Sequence, residues 1–420
     1  MNREELKLGK IDGMDLKELA KEFGTPLYIY SKKQLEENVL AYQKGFLDPY
    51  ERTRVAFASK AFSCKALYQL MAQRGIGLDV VSGGEIFTAK QAKIPMETLE
   101  FNGNNKEKWE IELALEEGIG LFIVDSLEEL YFLEKIAKEK GKVAKILFRL
   151  KPNVETDTHA HMSTGHSRSK FGISRKDFLK AWEFSQKSKE MEFRGIHIHV
   201  GSQLKENTSV LAGLKNIFSL LEEGGEKVLS SIKEINLGGG LGISYVEGEK
   251  SISVEEFYKE PMKQIEEFFQ KHKKIRPWIS IEPGRSLVGE AGITLYEVGT
   301  IKEEESQTFM AVNGGMSDNL RVALYGAKYE ALAVNKSGEE KTVQIVGKCC
   351  ETGDVLIQKA KLPEMERGDL LVILATGAYH YSMANNYNKN PIPPVICVED
   401  GKAEIWVKGQ TMEELIQREQ

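Results

Sequence analysis

The sequence predicts an α/β barrel followed by a β domain, and three observations predict it. Short β-branched runs recur eight times between residues 54 and 285, segments of helical apolar spacing separate them, and after residue 290 β-type runs take over. A chain of 420 residues, 41% hydrophobic and 29% charged, can bury such a core and is too apolar for a disordered or fibrous protein.

The eight runs are RVAFASKA at 54, IGLDVVSG at 76, TLEFNG at 98, GLFIVDS at 120, VAKILFRLKP at 143, FRGIHIHVG at 193, IKEINLGGG at 232 and PWISIEPGR at 277. The first four start 22 residues apart, close to the minimum for a strand plus a crossover helix. Between them lie ALYQLMAQR after Lys65, WEIELALEEG after Lys108 and LEELYFLEKIAKEK after Ser126, and VEEFYKEPMKQIEEFFQKH follows Ser253. Eight such units read as a TIM-type (β/α)8 barrel, with an open doubly wound sheet as the alternative. The later runs, ITLYEVGTIK, TFMAVNGG, KTVQIVGK, LLVILATGA and PVICVEDGKAEIWVKG, read as an antiparallel β domain with a hairpin at Asp400-Gly401. The expected division is an amino-terminal segment 1–31 joining the β domain, a barrel over 32–285 and the β domain over 286–420. For the run PLYIYS at 26–31, packing under the barrel is the alternative.

With 57 Lys+Arg against 63 Asp+Glu the net charge is −6, which argues against nucleic acid as a partner. The charged amino terminus MNREELKLGK is unlike a signal peptide, and no segment approaches the roughly 18 apolar residues of a membrane span. A cytoplasmic protein without a membrane partner is expected. Four cysteines, none in a C-x-x-C pair, are not a disulfide scaffold.

The carboxyl ends of the eight runs carry Ser59-Lys60, Asp79, Asn102, Asp125, Arg149, His199, Gly238-Gly239-Gly240 and Glu282 to Arg285. In a barrel these converge on one rim, where sites of this fold are built. Lys60 ends an apolar run, so its amine is expected beside apolar surface, where desolvation lowers its pKa and makes it a Schiff-base nucleophile. A snorkelling lysine is the plainer reading. INLGGGLGI offers consecutive backbone N–H groups suited to a phosphate monoester, or only a tight turn. It is not a dinucleotide fingerprint, because the third glycine would fall at Ile243. His197 and His199 alternate on one strand face as a metal-binding pair would, with Asp79 and Glu282 as further candidates, but no supporting spacing follows and an organic ligand is preferred to a metal. In Cys349-Cys350-Glu351 one thiol is expected in the core and the other exposed, and flanking carboxylates suit a proton donor better than a nucleophile.

GMDLKELAKEFGTPLYIY, FASKAF, LDVVSGGE, FNGNNK, STGHSRSKFGI, GIHIHVGSQ, NLGGGLGI, IEPGRSLVG, CCETGDVL and GAYHYSMANNYN follow in that order over nearly the whole chain. In these the sequence resembles the diaminopimelate decarboxylase family, pyridoxal-phosphate enzymes of alanine racemase-like fold. The resemblance implies decarboxylation of meso-2,6-diaminopimelate to L-lysine, the last step of lysine biosynthesis, by a homodimer with shared active sites. It assigns Lys60 to the cofactor linkage, His199 to stacking on the ring, Ser202 with Gly238, Gly239 and Gly240 to the phosphate, and Glu282 to the pyridine nitrogen. Asp79, Pro283 and Gly284 fall in its cofactor motifs, Arg285 and Tyr379 become cofactor and substrate contacts, and Cys350 becomes a proton donor supplied across the dimer. Arg321 and Tyr325 resemble the stretch that meets the distal end of the substrate, with Glu351 for its ammonium. Phe62, Val322, Thr352 and the segment NKNPIP depart from the family pattern, and none removes a charge from this chemistry. Two alternatives stand beside it, a decarboxylase or racemase of the same fold acting on another amino acid, and a silent cofactor-binding regulatory homologue.

Overall fold

The computed structural model describes residues 1–151 and 169–420, and the chain divides into two compact units. One comprises Val39–Gly242 and Ser251–Gly284, the other Met1–Asn38, Ile243–Lys250 and Arg285–Gln420. The early run is a strand, Leu27–Ser31 (β1), of the second unit.

The first unit is a closed barrel of eight parallel strands. They are Thr53–Ala58 (β2), Gly77–Val80 (β3), Leu99–Phe101 (β4), Leu121–Val124 (β5), Ala144–Arg149 (β6), Met191–His197 (β7), Glu234–Asn236 (β8) and Trp278–Ile281 (β9). Each pairs with the next, and Ser280 opposite Arg54 brings β9 back to β2. All eight predicted runs are strands. Near-continuous apolar sequence is what a strand covered on both faces requires, and Phe57, Leu78, Phe101, Ile123, Phe148, Ile235 and Ile279 are buried.

Crossover helices begin where a serine caps them. Ser82, Ser126 and Ser253 accept from the backbone N–H three residues on, at Glu85, Glu129 and Glu256. The Glu85 carboxylate also accepts from Val81 N–H at 2.7 Å and that of Glu129 from Asp125 N–H at 2.8 Å, so the helix start and the strand end are fixed together. Part of STGHSRSKFGI, residues 163–168, lies outside the described residues.

In the second unit, a sheet runs in the order Val355–Leu362 (β14), Lys341–Val346 (β13), Thr308–Val312 (β11), Gly292–Glu303 (β10), β1, Val395–Glu399 (β16) and Lys402–Val407 (β17). Leu370–Ile373 (β15) pairs with both β10 and Ala331–Ala333 (β12). The sheet is mixed rather than wholly antiparallel, since β11 with β13 and β1 with β16 run parallel. Long connections allow this, whereas tight hairpins force antiparallel pairs. The hairpin at Asp400-Gly401 is present between β16 and β17, both residues at positive φ (46° and 75°) as a two-residue turn demands. Leu27, Ile29, Leu295 and Ile396 lie in one core cluster of this unit and Tyr296, Val298, Ile345 and Leu371 in another.

Candidate active site

In the barrel unit, a cleft of about 360 Å³ is lined by Lys60, Asn102, Arg149, Phe171, His197, His199 and Glu282, together with the loop from Gly103 to Lys106. Several of the strand-end residues singled out in the sequence therefore meet. The end of β9 is tied to the end of β2 by Ala58 N–H donating to Pro283 O at 3.0 Å, two residues before Lys60. Pro283 and Gly284 act here through the backbone and close packing, since a Cβ on Gly284 would crowd Ala58 and Ala61.

Glu282 is the best-anchored group. Its Oε2 meets His197 Nε2 at 3.0 Å, and its Oε1 accepts from Asn102 Nδ2 at 3.1 Å and Asn236 Nδ2 at 2.9 Å. Donors from three strand ends thus converge on one buried carboxylate. Burial opposes its ionisation, and the N–H donated by the His197 ring together with the charge of Lys60 outweighs burial, holding its pKa below the carboxylate range. Burial lowers the pKa of His197, so at neutral pH the ring is uncharged and donates from Nε2. Asp79 behaves oppositely: burial, then the charge of Glu282, pushes it up to about 8, and it keeps its proton at neutral pH. Its Oδ1 accepts from Asn102 at 2.7 Å. His199 is driven well below its usual pKa by burial and then by Lys60 and Arg149, leaving a neutral ring.

Two expectations need correction. Lys60 is exposed rather than sunk against apolar wall, because it sits in the short turn Ser59–Ala61 just beyond β2, with the carboxyl groups of Asp79, Glu85 and Glu282 nearby. The three glycines do not present three open N–H groups: Gly238 N–H donates to Asn236 Oδ1 at 2.7 Å and Gly239 N–H to His199 Nδ1 at 3.2 Å. Glycine is required here by close approach. Gly238 has φ +68°, and a Cβ on Gly239 would strike the Glu282 carbonyl. Sequence reading missed Asn236 and Glu100, and it weighed His197 only as half of a metal-binding pair while preferring an organic ligand. The available signal was polar alternation within strands, Glu100 with Asn102 and Glu234 with Asn236, which aims both side chains of a pair to the same face.

The fit of pyridoxal phosphate can be judged from unspent groups. Asp79 Oδ2, Asn102 Oδ1 and His197 Nδ1 are buried without a hydrogen-bond partner. A cleft with a primary amine, a neutral imidazole, an ionised carboxylate and unspent polar atoms suits a planar, polar heterocycle bearing an aldehyde.

The second unit holds an arginine–tyrosine cluster. The Arg285 guanidinium bonds Tyr245 OH and lies 4.9 Å from the Tyr379 ring centroid; that of Arg321 lies 5.1 Å from the same ring, with Nε donating to Tyr329 OH at 2.9 Å. Arg321 also lies 5.4 Å from the Tyr325 ring. Both arginines are buried, and among the described residues Arg321 has no carboxylate partner. Tyr379 is held at φ 65°. His380 is pushed down to about 3 by burial and then by Arg321, and its Nδ1 donates to Ala378 O at 2.9 Å.

Cys349 is buried and Cys350 exposed, although the pair sits in a bend after β13 rather than in an extended strand. Cys349 N–H donates to Asp354 Oδ2 and Cys350 N–H to Asn388 Oδ1, each at 2.7 Å. Glu351 is exposed beside them.

A closed parallel barrel carrying a lysine, a histidine and a buried carboxylate at its strand ends defines a class. The chain belongs to the pyridoxal-dependent decarboxylases: the family model for their pyridoxal binding domain matches residues 32–289. Particular relatives narrow the comparison. The diaminopimelate decarboxylase of Bacillus subtilis (strain 168) is 43% identical over 97% of this chain and 94% of that protein, and that of Staphylococcus aureus (strain COL) is 44% identical over 97% and 96%. The crystal structure of diaminopimelate decarboxylase from M. jannaschii in complex with L-lysine superposes with a TM-score of 0.90, at 35% identity, over 98% of this chain and 95% of that one.

Proposed function

We propose that this chain is a pyridoxal-phosphate-dependent carboxy-lyase that converts meso-2,6-diaminopimelate to L-lysine and carbon dioxide. The observation that carries the reading is the Glu282 carboxylate, kept ionised inside the barrel by N–H donors from His197, Asn102 and Asn236. The cofactor, when bound, supplies an electron sink for the charge left on the substrate carbon as carbon dioxide departs. Glu282 is the residue to hold a proton at the ring nitrogen. Neutral His199 offers a flat face for stacking without repelling a protonated ring. Lys60 supplies the amine that carries the cofactor and gives way to the substrate amine, and Asp79, protonated, adds no competing charge. Ser202 and the Gly240 end of the glycine run are assigned to the phosphate.

Substrate recognition is assigned to the second unit's charges. A buried guanidinium without a carboxylate partner is fit for an anion, so Arg321 takes a substrate carboxylate, with Arg285 a second contact and Tyr325 and Tyr379 flanking them. Glu351 takes the distal ammonium. The exposed Cys350 thiol, its backbone fixed by Asn388, is assigned to deliver the proton that replaces the lost carboxylate. An exposed donor is suited to complete the site of a second copy, which makes the working form a homodimer. Among the described residues no helix is long and apolar enough to cross a membrane, and we place the enzyme in the cytoplasm. A product assay on the purified, cofactor-loaded protein with meso-diaminopimelate, lysine, ornithine and alanine tests the reading. Stoichiometric lysine and carbon dioxide from the first alone supports it, and turnover of another substrate in its place overturns it.

A further inference from the structure

Glu100 is unexplained by the roles above. It is the middle residue of β4, 4% exposed, and points into the barrel. Its Oε2 accepts from Asn236 Nδ2 at 2.7 Å, and the same amide nitrogen donates to Glu282 Oε1 at 2.9 Å, so one amide spans two carboxyl groups. Bonded to one nitrogen, the two carboxyl groups are held next to each other. Glu234 on β8 and Asp79 on β3 are further acids beside Glu100, while Arg54, Lys145 and Arg194 line the cavity on its outer side. Arg54 on β2 is engaged with Glu234 at 3.4 Å and Arg194 with Glu192 at 2.9 Å, and among the described residues Glu100 forms no ion pair. Two ionised carboxylates cannot share such a site without a cation, so one must keep a proton. Glu282 receives three N–H donors and Glu100 one, which decides where the proton stays. Burial, then the Glu282 charge, raises the pKa of Glu100 accordingly.

We propose that Glu100 is a neutral carboxylic acid whose O–H donates to Glu282, making it a positioning residue that fixes Glu282 in its ionised state. The inference rests on the reading of Glu282 as the partner of the cofactor ring nitrogen. A cavity of about 400 Å³ at the amino ends of the strands, lined by Thr53, Gly77, Leu99, Glu100 and Leu121, gives Glu100 an approach from solvent at the end opposite Lys60. Its proton can therefore equilibrate without passing through the substrate cleft.

Two variants and two readouts test this. Glu100→Gln keeps the size and a hydrogen-bond donor while remaining neutral, and Glu100→Leu keeps the size without a donor. In cofactor-free protein labelled with carbon-13 glutamate, infrared spectroscopy at neutral pH should show a labelled carboxylic-acid carbonyl band that Glu100→Gln removes. The label separates it from the protonated aspartates. In the loaded enzyme Glu100→Gln should keep the wild-type kcat and pH profile. Glu100→Leu should lose kcat by about tenfold, the worth of one hydrogen bond to a charged group, with KM kept and the acid limb displaced. Absence of the labelled band, or equal behaviour of the two variants, overturns the inference even if Glu100→Leu fails to fold, since the band and Glu100→Gln need only folded protein. Glu282→Gln separates the underlying reading: full activity in that variant overturns the role of Glu282, whereas an inactive Glu282→Gln with no acid band overturns Glu100 alone.

Discussion

Lys106→Met should destabilise the barrel unit severely, although the residue is a lysine in a loop. The Lys106 amine donates to Gly103 O at 2.8 Å, Ile123 O at 2.9 Å and Glu129 Oε1 at 2.6 Å, and it lies 5.3 Å from the Phe101 ring centroid. Its side chain is 1% exposed and that of Glu129 7%. Methionine would fill the space and leave Glu129 buried without its cation, an arrangement that costs about 3–5 kcal/mol. At a slope of about 2 kcal/mol per molar urea, the unfolding midpoint should fall by about 2 M. Adding Glu129→Gln removes the stranded charge while still accepting from Asp125 N–H, so the double variant should recover at least half of the loss. The same lysine pins the loop whose residues Asn102 to Asn105 line the cleft, so cofactor should dissociate faster from the single variant. A loss below about 1 kcal/mol, the level of a solvent-exposed pair, or a double variant no better than the single one, would refute the argument that burial governs this pair.

Borohydride reduction of the loaded protein should attach the cofactor to Lys60, and Lys60→Ala should lack the visible absorption band; a label on another lysine, found by peptide mass mapping, contradicts the assignment. Mixing inactive Lys60→Ala with Cys350→Ala and allowing subunits to exchange should restore activity above the slow water-protonated background of Cys350→Ala, and confirmed heterodimers without recovery exclude a shared site. Burial raises Asp318 in the second unit to about 7 against 3.8 unfolded. The folded state therefore binds the extra proton, its stabilisation is complete below pH 3.8, and it is lost as pH rises through about 7. Asp318→Asn, followed by denaturant titration from pH 4 to 8, should flatten that loss relative to wild type; parallel curves refute it. Chelator treatment should leave activity unchanged, while activity that returns only with added zinc or iron would revive the paired-histidine metal reading.

The barrel was legible because parallel strands covered on both faces leave an unmistakable trace, runs such as KILFR and FIV bounded by turn residues. The candidate site was half legible. Lys60, His199, Glu282 and Arg321 stand in motifs whose order exposed them, but what holds them did not show. Glu100, Glu234 and Asn236 lie on three-residue strands, where one polar pair two residues apart is too brief an alternation to stand out from solvated strand ends. Only closure of the barrel turns their common face inward. Whether the glycine N–H groups point to a ligand or to Asn236 and His199 is likewise set by neighbours distant in sequence. The parallel pairing of β1 with β16 joins segments near the two ends of the chain, and no local pattern encodes it.

That placement has a consequence for biosynthesis. β1 leaves the ribosome before any barrel strand, yet its neighbours on either side are residues 292–295 and 395–398. Every barrel strand will have emerged before the first of these arrives. During translation Leu27–Ser31, an apolar five-residue strand with two unpaired edges, must wait in an open state, available to chaperones or to the same segment of a neighbouring nascent chain. The sheet unit can close only after Val395–Val398 have emerged, so a chain cut before Val395 lacks a partner of its earliest strand.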